Sequence, residues 1–100
     1  MTILYVTCKD KAEAKKISKH LLNKNLIACA NIFPIESIYK WENKIKEDSE
    51  IVILLKTSDN HIKKINEEIK SIHSYDIPCI LQIDAKANKE FQDWVNSQIT

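Results

Sequence analysis

Three cysteines and three histidines are the residues of this chain whose side chains could bind a soft metal ion, because such ions prefer thiolate and imidazole ligands. Cys8, Cys29 and Cys79 form no CxxC pair and show no closed-site spacing. Cys29 and Cys79 lie in apolar runs and are predicted to be packed in the interior, since free cysteine is among the most buried residue types. Cys8, beside Lys9 and Asp10, is predicted to be accessible.

His73 follows the apolar stripe of a predicted helix. An imidazolium there would interact favourably with the helix dipole and could hydrogen-bond the last carbonyls. A capping role is therefore the alternative to any role for His73 as a ligand.

The stretch SIYKWENKIKEDSE, residues 37–50, places two aromatic residues in a strongly charged segment. Alternation puts Tyr39 and Trp41 on one side of a strand, and Asn43 suits the left-handed conformation of a turn. Sites for small molecules often form at subunit boundaries from apolar walls and a few polar groups. The alternative is interface packing with an ion pair. The candidate cleft residues are Tyr39, Trp41, Glu42, Lys44 and Tyr75.

Composition excludes several classes of function. The chain has 100 residues, enough for one domain, and its formal net charge of +1 gives no electrostatic footprint for nucleic acid or an anionic membrane. Glycine is absent, which removes the phosphate-binding loops that need close backbone approach. No local pattern supplies a nucleophile with its base. The sequence therefore predicts a single-domain protein, residues 1–100, that is not an enzyme.

Cysteine usage and the N-terminus bear on location. An odd number of cysteines without paired spacing is a poor disulfide framework and favours a reducing cytoplasm. The N-terminal stretch MTILYVTCKD lacks a basic region before its short apolar run, and no apolar run is long enough to span a membrane.

The elements that must position these residues follow from periodicity. Their order is β-α-β-β-α-β with an added helix, which matches the ferredoxin-like α+β pattern of an antiparallel sheet covered by two helices on one face. Asp10 and Glu13 have capping-box spacing. The predicted elements are strand Ile3–Thr7, helix Lys11–Lys24, extended segment Leu26–Ile35, strand Ile51–Thr57, a helix with Ile62, Ile65, Ile69 and Ile72 on one face, strand Cys79–Asp84, and a helix capped by Asn88.

The second and third strands form a hairpin that is long for a chain of this size. An arm from Ala28 to Trp41 would measure about 46 Å at roughly 3.3 Å per residue, whereas a domain of this length is about 34 Å across. An overhanging ribbon is marginal alone, and its open edge invites pairing. We therefore predict that the tip docks on a neighbouring copy. The alternative is a curled hairpin whose aromatic residues pack on their own core.

The quoted residues resemble the CutA divalent-cation tolerance family. The likeness covers essentially the whole chain, and its most specific part is the SIYKWENKIKEDSE core, preceded by LIACANIFPI and followed by HSYDIP. The resemblance implies a homotrimer in which long hairpins extend sheets across subunits, as in the PII signalling proteins. It also implies a role in tolerance of, or response to, divalent metal ions. Copper binding is proposed for some members, and no catalytic activity is agreed.

The chain departs from the family where copper ligands are proposed. Bacterial relatives use a first-strand cysteine and a His-His pair, whereas this chain has Val6 at the cysteine position and Ile72-His73 in place of the pair. The predicted metal ligands are therefore His73 and Cys8, for copper or another divalent cation. The alternative is a PII-like sensor or scaffold that binds a small ligand or a protein in the cleft without a physiological metal.

Overall fold

The computed structural model describes residues 1–100 and contains four strands and three α-helices. The predicted element order is confirmed, and most strand and helix ends lie within one or two residues of the predicted ones. Strands β2 and β3 are the exceptions, because they continue past the predicted segments Leu26–Ile35 and Ile51–Thr57 into the long hairpin. A short 3₁₀ turn, Asp59–His61, precedes the second helix. The elements are β1 (Thr2–Cys8), α1 (Lys11–Asn23), β2 (Cys29–Trp41), β3 (Lys44–Thr57), α2 (Ile62–Ile72), β4 (Ile80–Asp84) and α3 (Lys89–Ser97).

The four strands form one antiparallel sheet in the order β2-β3-β1-β4. Strand β3 lies inside the sheet. Its apolar run IVILLKT predicts this, because an interior strand that is covered on both faces has no polar side. The sheet edges are β2 and β4. Pro34 lies in the edge strand β2, opposite Ile51, which suits a residue that cannot donate to a ladder.

The main core lies between one sheet face and the helices α1 and α2. Alternation points every second residue of β1 and β3 at this face, and the helices meet it with apolar residues three and four apart. No helix has the length and apolar composition that crossing a membrane requires. The core includes Leu4, Val6, Ile17, Leu21, Ile53, Leu55, Ile65 and Ile69, all with no exposed surface.

The opposite sheet face is only partly covered. Helix α3 packs near the end of β3, where the Lys56 ammonium lies 5.3 Å from the Phe91 ring centroid. Beyond it, Phe33, Leu81 and Ile83 remain 37%, 53% and 44% exposed. The second face therefore carries apolar surface that the single chain does not bury.

The hairpin extends well past the domain, as predicted. The pairing of β2 with β3 is continuous from Cys29 opposite Lys56 to Trp41 opposite Lys44, and the molecule measures 45 × 26 × 21 Å. Glu42 and Asn43 form the two-residue turn with φ values of 50° and 63°. Two consecutive positive φ values define the turn that matches strand twist in short hairpins, so the predicted turn at Asn43 is confirmed and Glu42 shares it.

Two further predictions concern the residues that cap the N-termini of α1 and α3. Asp10 caps α1 by accepting a hydrogen bond from the Glu13 backbone N–H at 2.8 Å. The Glu13 carboxylate accepts from the Lys9 N–H at 3.1 Å instead of from that of Asp10. Asn88 precedes α3 but makes no side-chain capping bond. Its amide instead donates to Glu90 Oε2 at 3.2 Å. The predicted N-cap position of Asn88 is therefore confirmed, without the side-chain hydrogen bond that usually accompanies it.

Candidate functional site

Cys8 ends β1 with its side chain fully buried. The prediction that it would be accessible is wrong, because Cys8 continues the inward alternation of Leu4 and Val6 although exposed residues follow it. Burial raises the pKa of the thiol to about 12, with smaller contributions from nearby carboxylates, Glu13 first. Cys8 is therefore a protonated, packed thiol in this structure.

Glu13 is a buried carboxylate held by backbone donors. It is 8% exposed, and its two oxygens accept hydrogen bonds from the Lys9 N–H at 3.1 Å and the Ser74 N–H at 2.9 Å. Burial alone would raise its pKa, but the hydrogen bonds from Ser74 and Lys9 outweigh that effect and lower the pKa below its ordinary value. The ionised carboxylate thus ties the end of β1 to the segment after α2.

His73 follows α2 and bridges the same two segments. Its Nε2 lies 2.8 Å from the Thr7 carbonyl oxygen, and its Nδ1 accepts from the Tyr75 N–H at 3.0 Å. These partners require a neutral ring with the proton on Nε2. The backbone N–H of His73 closes the last turn on Ile69 O at 2.9 Å, but the ring bonds to β1 instead of to the last carbonyls of α2.

One ligand atom from each of Cys8, Glu13 and His73 lies within 4.8 Å of the others. Cys8 and His73 were predicted as metal ligands, and the structure brings them together although they lie far apart in the sequence. Glu13 was identified only as a capping residue, and nothing in its local spacing indicates that it meets His73. Sulfur, nitrogen and oxygen donors together suit a borderline or soft metal, so the donor set fits such an ion in kind.

The other two cysteines lie outside this cluster. All three thiols are free, and Cys29 and Cys79 are only half-buried. Cys79 lines a separate cavity. The prediction that both are packed in the interior therefore overstates their burial in the single chain, because Cys29 begins the edge strand β2 on the face away from α1 and α2 and Cys79 lines the cavity.

A cavity of about 540 Å³ opens between one face of the outer half of the hairpin and the segment 74–79. Tyr39 and Trp41 form one wall, and Tyr75 and Ile77 belong to the other. Tyr39 and Trp41 are still 39% and 45% exposed. The aromatic residues of the hairpin therefore face their own domain across open space, without being covered by it.

Hydrogen bonds from tyrosines orient two carboxylates of this cavity. The Tyr39 hydroxyl donates to Asp48, and the Tyr75 hydroxyl donates to Glu50 Oε2 at 2.8 Å. The hydrogen bond to Asp48 raises the pKa of Tyr39, and burial followed by the bond to Glu50 raises that of Tyr75. Both phenols therefore stay neutral and act as donors.

Three of the five predicted cleft residues line the cavity. Tyr39, Trp41 and Tyr75 do, whereas Glu42 and Lys44 do not. Glu42 is part of the turn, and Lys44, although paired with Trp41 across the hairpin, does not line the cavity. The acidic residues Asp48 and Asp76, which do line it, were not singled out by the sequence, because their position depends on how segment 74–79 folds against the hairpin.

Comparison with known protein families identifies relatives of this chain over nearly its whole length. Residues 2–98 match the CutA1 divalent ion tolerance protein family. The divalent-cation tolerance protein CutA of Archaeoglobus fulgidus is 40% identical over 97 residues, covering 96% of this chain and 95% of that protein. The chain belongs to the CutA1 divalent ion tolerance family, as its resemblance predicted.

Solved structures confirm the fold class. The periplasmic divalent cation tolerance protein CutA of A. fulgidus superposes with a TM-score of 0.97 at 39% identity, covering 100% of both chains. The PII-like protein CutA of Nostoc, in apo form, superposes with a TM-score of 0.92 at 23% identity, covering 100% of this chain and 98% of that one. At that identity the second likeness shows the fold alone.

Proposed function

We propose that this protein takes part in tolerance of, or response to, divalent metal ions, and that Cys8, Glu13 and His73 hold the ion. The observation that carries the proposal is the convergence of their ligand atoms within 4.8 Å. The names of the family relatives support the metal-related role. Copper is the ion to test first, because a thiol and an imidazole suit Cu(I) and a carboxylate and an imidazole are also acceptable to Cu(II).

Binding would exchange internal hydrogen bonds for metal bonds. The Cys8 thiol would lose its proton, because the thiolate is the ligand. A bond to Nδ1 of His73 would displace the Tyr75 N–H, and one to Nε2 would displace the Thr7 carbonyl. The proposed ion therefore competes with the contacts that join β1 to segment 73–75.

Isothermal titration of the thiol-reduced protein with Cu(I) and Cu(II) tests this proposal. We expect Cys8→Ala and His73→Ala each to weaken binding by about tenfold or more, since each removes one ligand. Cys29→Ala and His61→Ala are matched controls outside the cluster and should leave binding unchanged. Thermal melts confirm that each variant is folded before titration. Unchanged binding in both Cys8→Ala and His73→Ala would exclude these ligands.

We also propose that the protein is a homotrimer assembled through the β2–β3 hairpin. Ile38 and Ile45 lie on the hairpin face opposite Tyr39 and Trp41 and are 70% and 76% exposed. The sheet has two different free edges, β2 and β4. A contact between unlike surfaces is head-to-tail and closes into a ring when the rotation allows, which supports a cyclic assembly.

A PII-like sensor or scaffold is the second candidate function, favoured by the cavity beside the hairpin. Its volume of about 540 Å³ falls in the range of small-molecule sites. This function needs no metal, so it is supported if ligand binding persists after metal removal and in His73→Ala. Under either function we propose no catalytic step, since the cavity residues present no nucleophile paired with a base.

The cytoplasm is the proposed location, supported by three unpaired thiols. The A. fulgidus relative is described as periplasmic, so the location needs its own experiment. Cell fractionation of the untagged protein should place it with cytoplasmic markers, and recovery in an extracytoplasmic fraction would contradict the proposal.

A further inference from the structure

The cavity beside the hairpin is acidic as well as aromatic. Three carboxylates, those of Asp48, Glu50 and Asp76, line it against a single ammonium, that of Lys46. Asp48 and Glu50 each accept a tyrosine hydroxyl, which leaves further acceptor positions on both, because an ionised carboxylate has about four. Asp76 is exposed. The acceptors therefore exceed the donors that the cavity walls provide.

The aromatic walls add a second feature that favours positive charge. Tyr39, Trp41 and Tyr75 present their rings to the same space, and the faces of such rings attract cations, most strongly for tryptophan. An anionic ligand would meet three carboxylates, one lysine and no glycine-rich loop. The cavity thus discriminates by charge as well as by shape.

We propose that this cavity binds a small organic cation, a ligand with a protonated or quaternary amine and an apolar body. The carboxylates of Glu50 and Asp76 meet the charge, and the rings of Tyr39 and Trp41 contact the apolar part. None of Cys8, Glu13 and His73 lines the cavity, so the binding of this ligand does not depend on whether that cluster binds a metal. It gives the small-ligand function a ligand class.

Trp41 fluorescence provides the direct test. Trp94→Phe removes the second tryptophan while keeping an aromatic ring against Phe91, 5.6 Å away between centroids. The variant, treated with a chelator, is titrated with spermidine, choline and, as an anionic probe, citrate. We expect a saturable change with the two organic cations and none with citrate. A response to citrate that matches spermidine would overturn the proposal.

Charge-removing variants locate the site. In the same background, Asp76→Asn and Glu50→Gln should each weaken spermidine binding about fivefold, the effect of losing one partly exposed ion pair. Glu67→Gln, an exposed residue of α2 with no ion pair, is the matched control and should have no effect. Unchanged affinity in both cavity variants would contradict the proposal.

Two further outcomes would count against it. Calcium chloride at equal charge concentration should not reproduce the spermidine response, and if it does, the cavity senses ionic strength or a hard metal ion. Spermidine should also change Trp41 fluorescence at protein concentrations where light scattering shows the proposed trimer to be intact. No response in the intact trimer would show that a neighbouring copy of the chain occupies the cavity.

Discussion

The Glu13 carboxylate joins two segments that lie far apart in the sequence. It accepts from the Lys9 and Ser74 N–H groups, and both bonds need an acceptor oxygen. Glu13→Gln leaves one oxygen and places an NH₂ group against a backbone donor. We expect a loss of about 1–3 kcal/mol in unfolding free energy, the cost of leaving a buried group unsatisfied. Urea unfolding measures it, with Glu67→Gln as the control. Equal stability of the two variants would contradict this role.

Glu68 gives the protein a pH-dependent tie between its first two helices. It accepts from Lys24 Nζ at 2.8 Å and contacts His20 Nε2 at 2.7 Å and Lys64 Nζ at 3.3 Å. The hydrogen bond from Lys24 is the largest of the effects that lower the pKa of Glu68 from 4.5 to about 2. Because the folded pKa lies below the unfolded one, the stabilisation is present above about pH 4.5 and is lost as the pH falls toward 2.

Glu68→Gln tests this tie. The variant should unfold at a lower temperature than the wild type above about pH 5, and the difference should shrink as the pH falls through the window between the two pKa values. Glu67→Gln, one residue away, should follow the wild type throughout. A difference between Glu68→Gln and wild type that is constant down to pH 2 would contradict the assignment.

The sequence located two of the three cluster residues and misjudged one of them. Cys8 was predicted accessible from its neighbours Lys9 and Asp10, whereas the period of two that buries Leu4 and Val6 also buries Cys8. This alternation was visible in the sequence, and it predicts the burial of Cys8 better than the charge of the two residues that follow. Glu13 could not be linked to Ser74 by any local pattern, because their contact depends on the docking of α2 against the sheet.

The hairpin turn is the element in which the sequence departs most from the preferred chemistry. Glu42 and Asn43 both have positive φ, which asparagine tolerates well and glutamate tolerates poorly. We expect Glu42→Asn to stabilise the hairpin by about 0.5–1 kcal/mol, part of the cost of a left-handed residue. Slower amide exchange of β2 and β3 near the tip would show it, and Glu42→Val should have the opposite effect. Faster exchange in Glu42→Asn would contradict the argument.

The order and length of the elements could be predicted, but the arrangement around the cavity could not. Alternation and helical spacing identified every strand and helix, and Asn43 marked the turn. Glu42 and Lys44 were assigned to the cleft by proximity in sequence, yet the residues of β3 that line the cavity are Lys46, Asp48 and Glu50. Their partners come from segment 74–79, which has no regular periodicity to place it.

At the scale of the whole molecule, the apolar surface left uncovered argues for assembly. The hairpin carries Ile38 and Ile45, both more than two-thirds exposed, on the face away from the cavity. Burying each in an interface is worth about 1.5–3 kcal/mol. The double variant Ile38→Lys with Ile45→Lys should therefore shift the protein from a species of three times 11.6 kDa to the monomer.

Size-exclusion chromatography with light scattering at micromolar concentration measures this shift. Leu22→Lys, which changes a 39% exposed residue of α1, is the control and should leave the assembly intact. A wild-type protein that elutes as a stable monomer would contradict the proposed trimer, and a trimer that survives the double substitution would exclude this hairpin face.

Metal binding by the cluster of Cys8, Glu13 and His73 is the central claim, and crystals grown with copper test it most directly. Anomalous diffraction at the copper edge locates the ion without assumptions about its ligands. We predict a peak within bonding distance of Cys8 Sγ and a ring nitrogen of His73, with the Tyr75 or Thr7 hydrogen bond to that ring broken. A copper-loaded crystal whose anomalous peaks all lie elsewhere would contradict the claim.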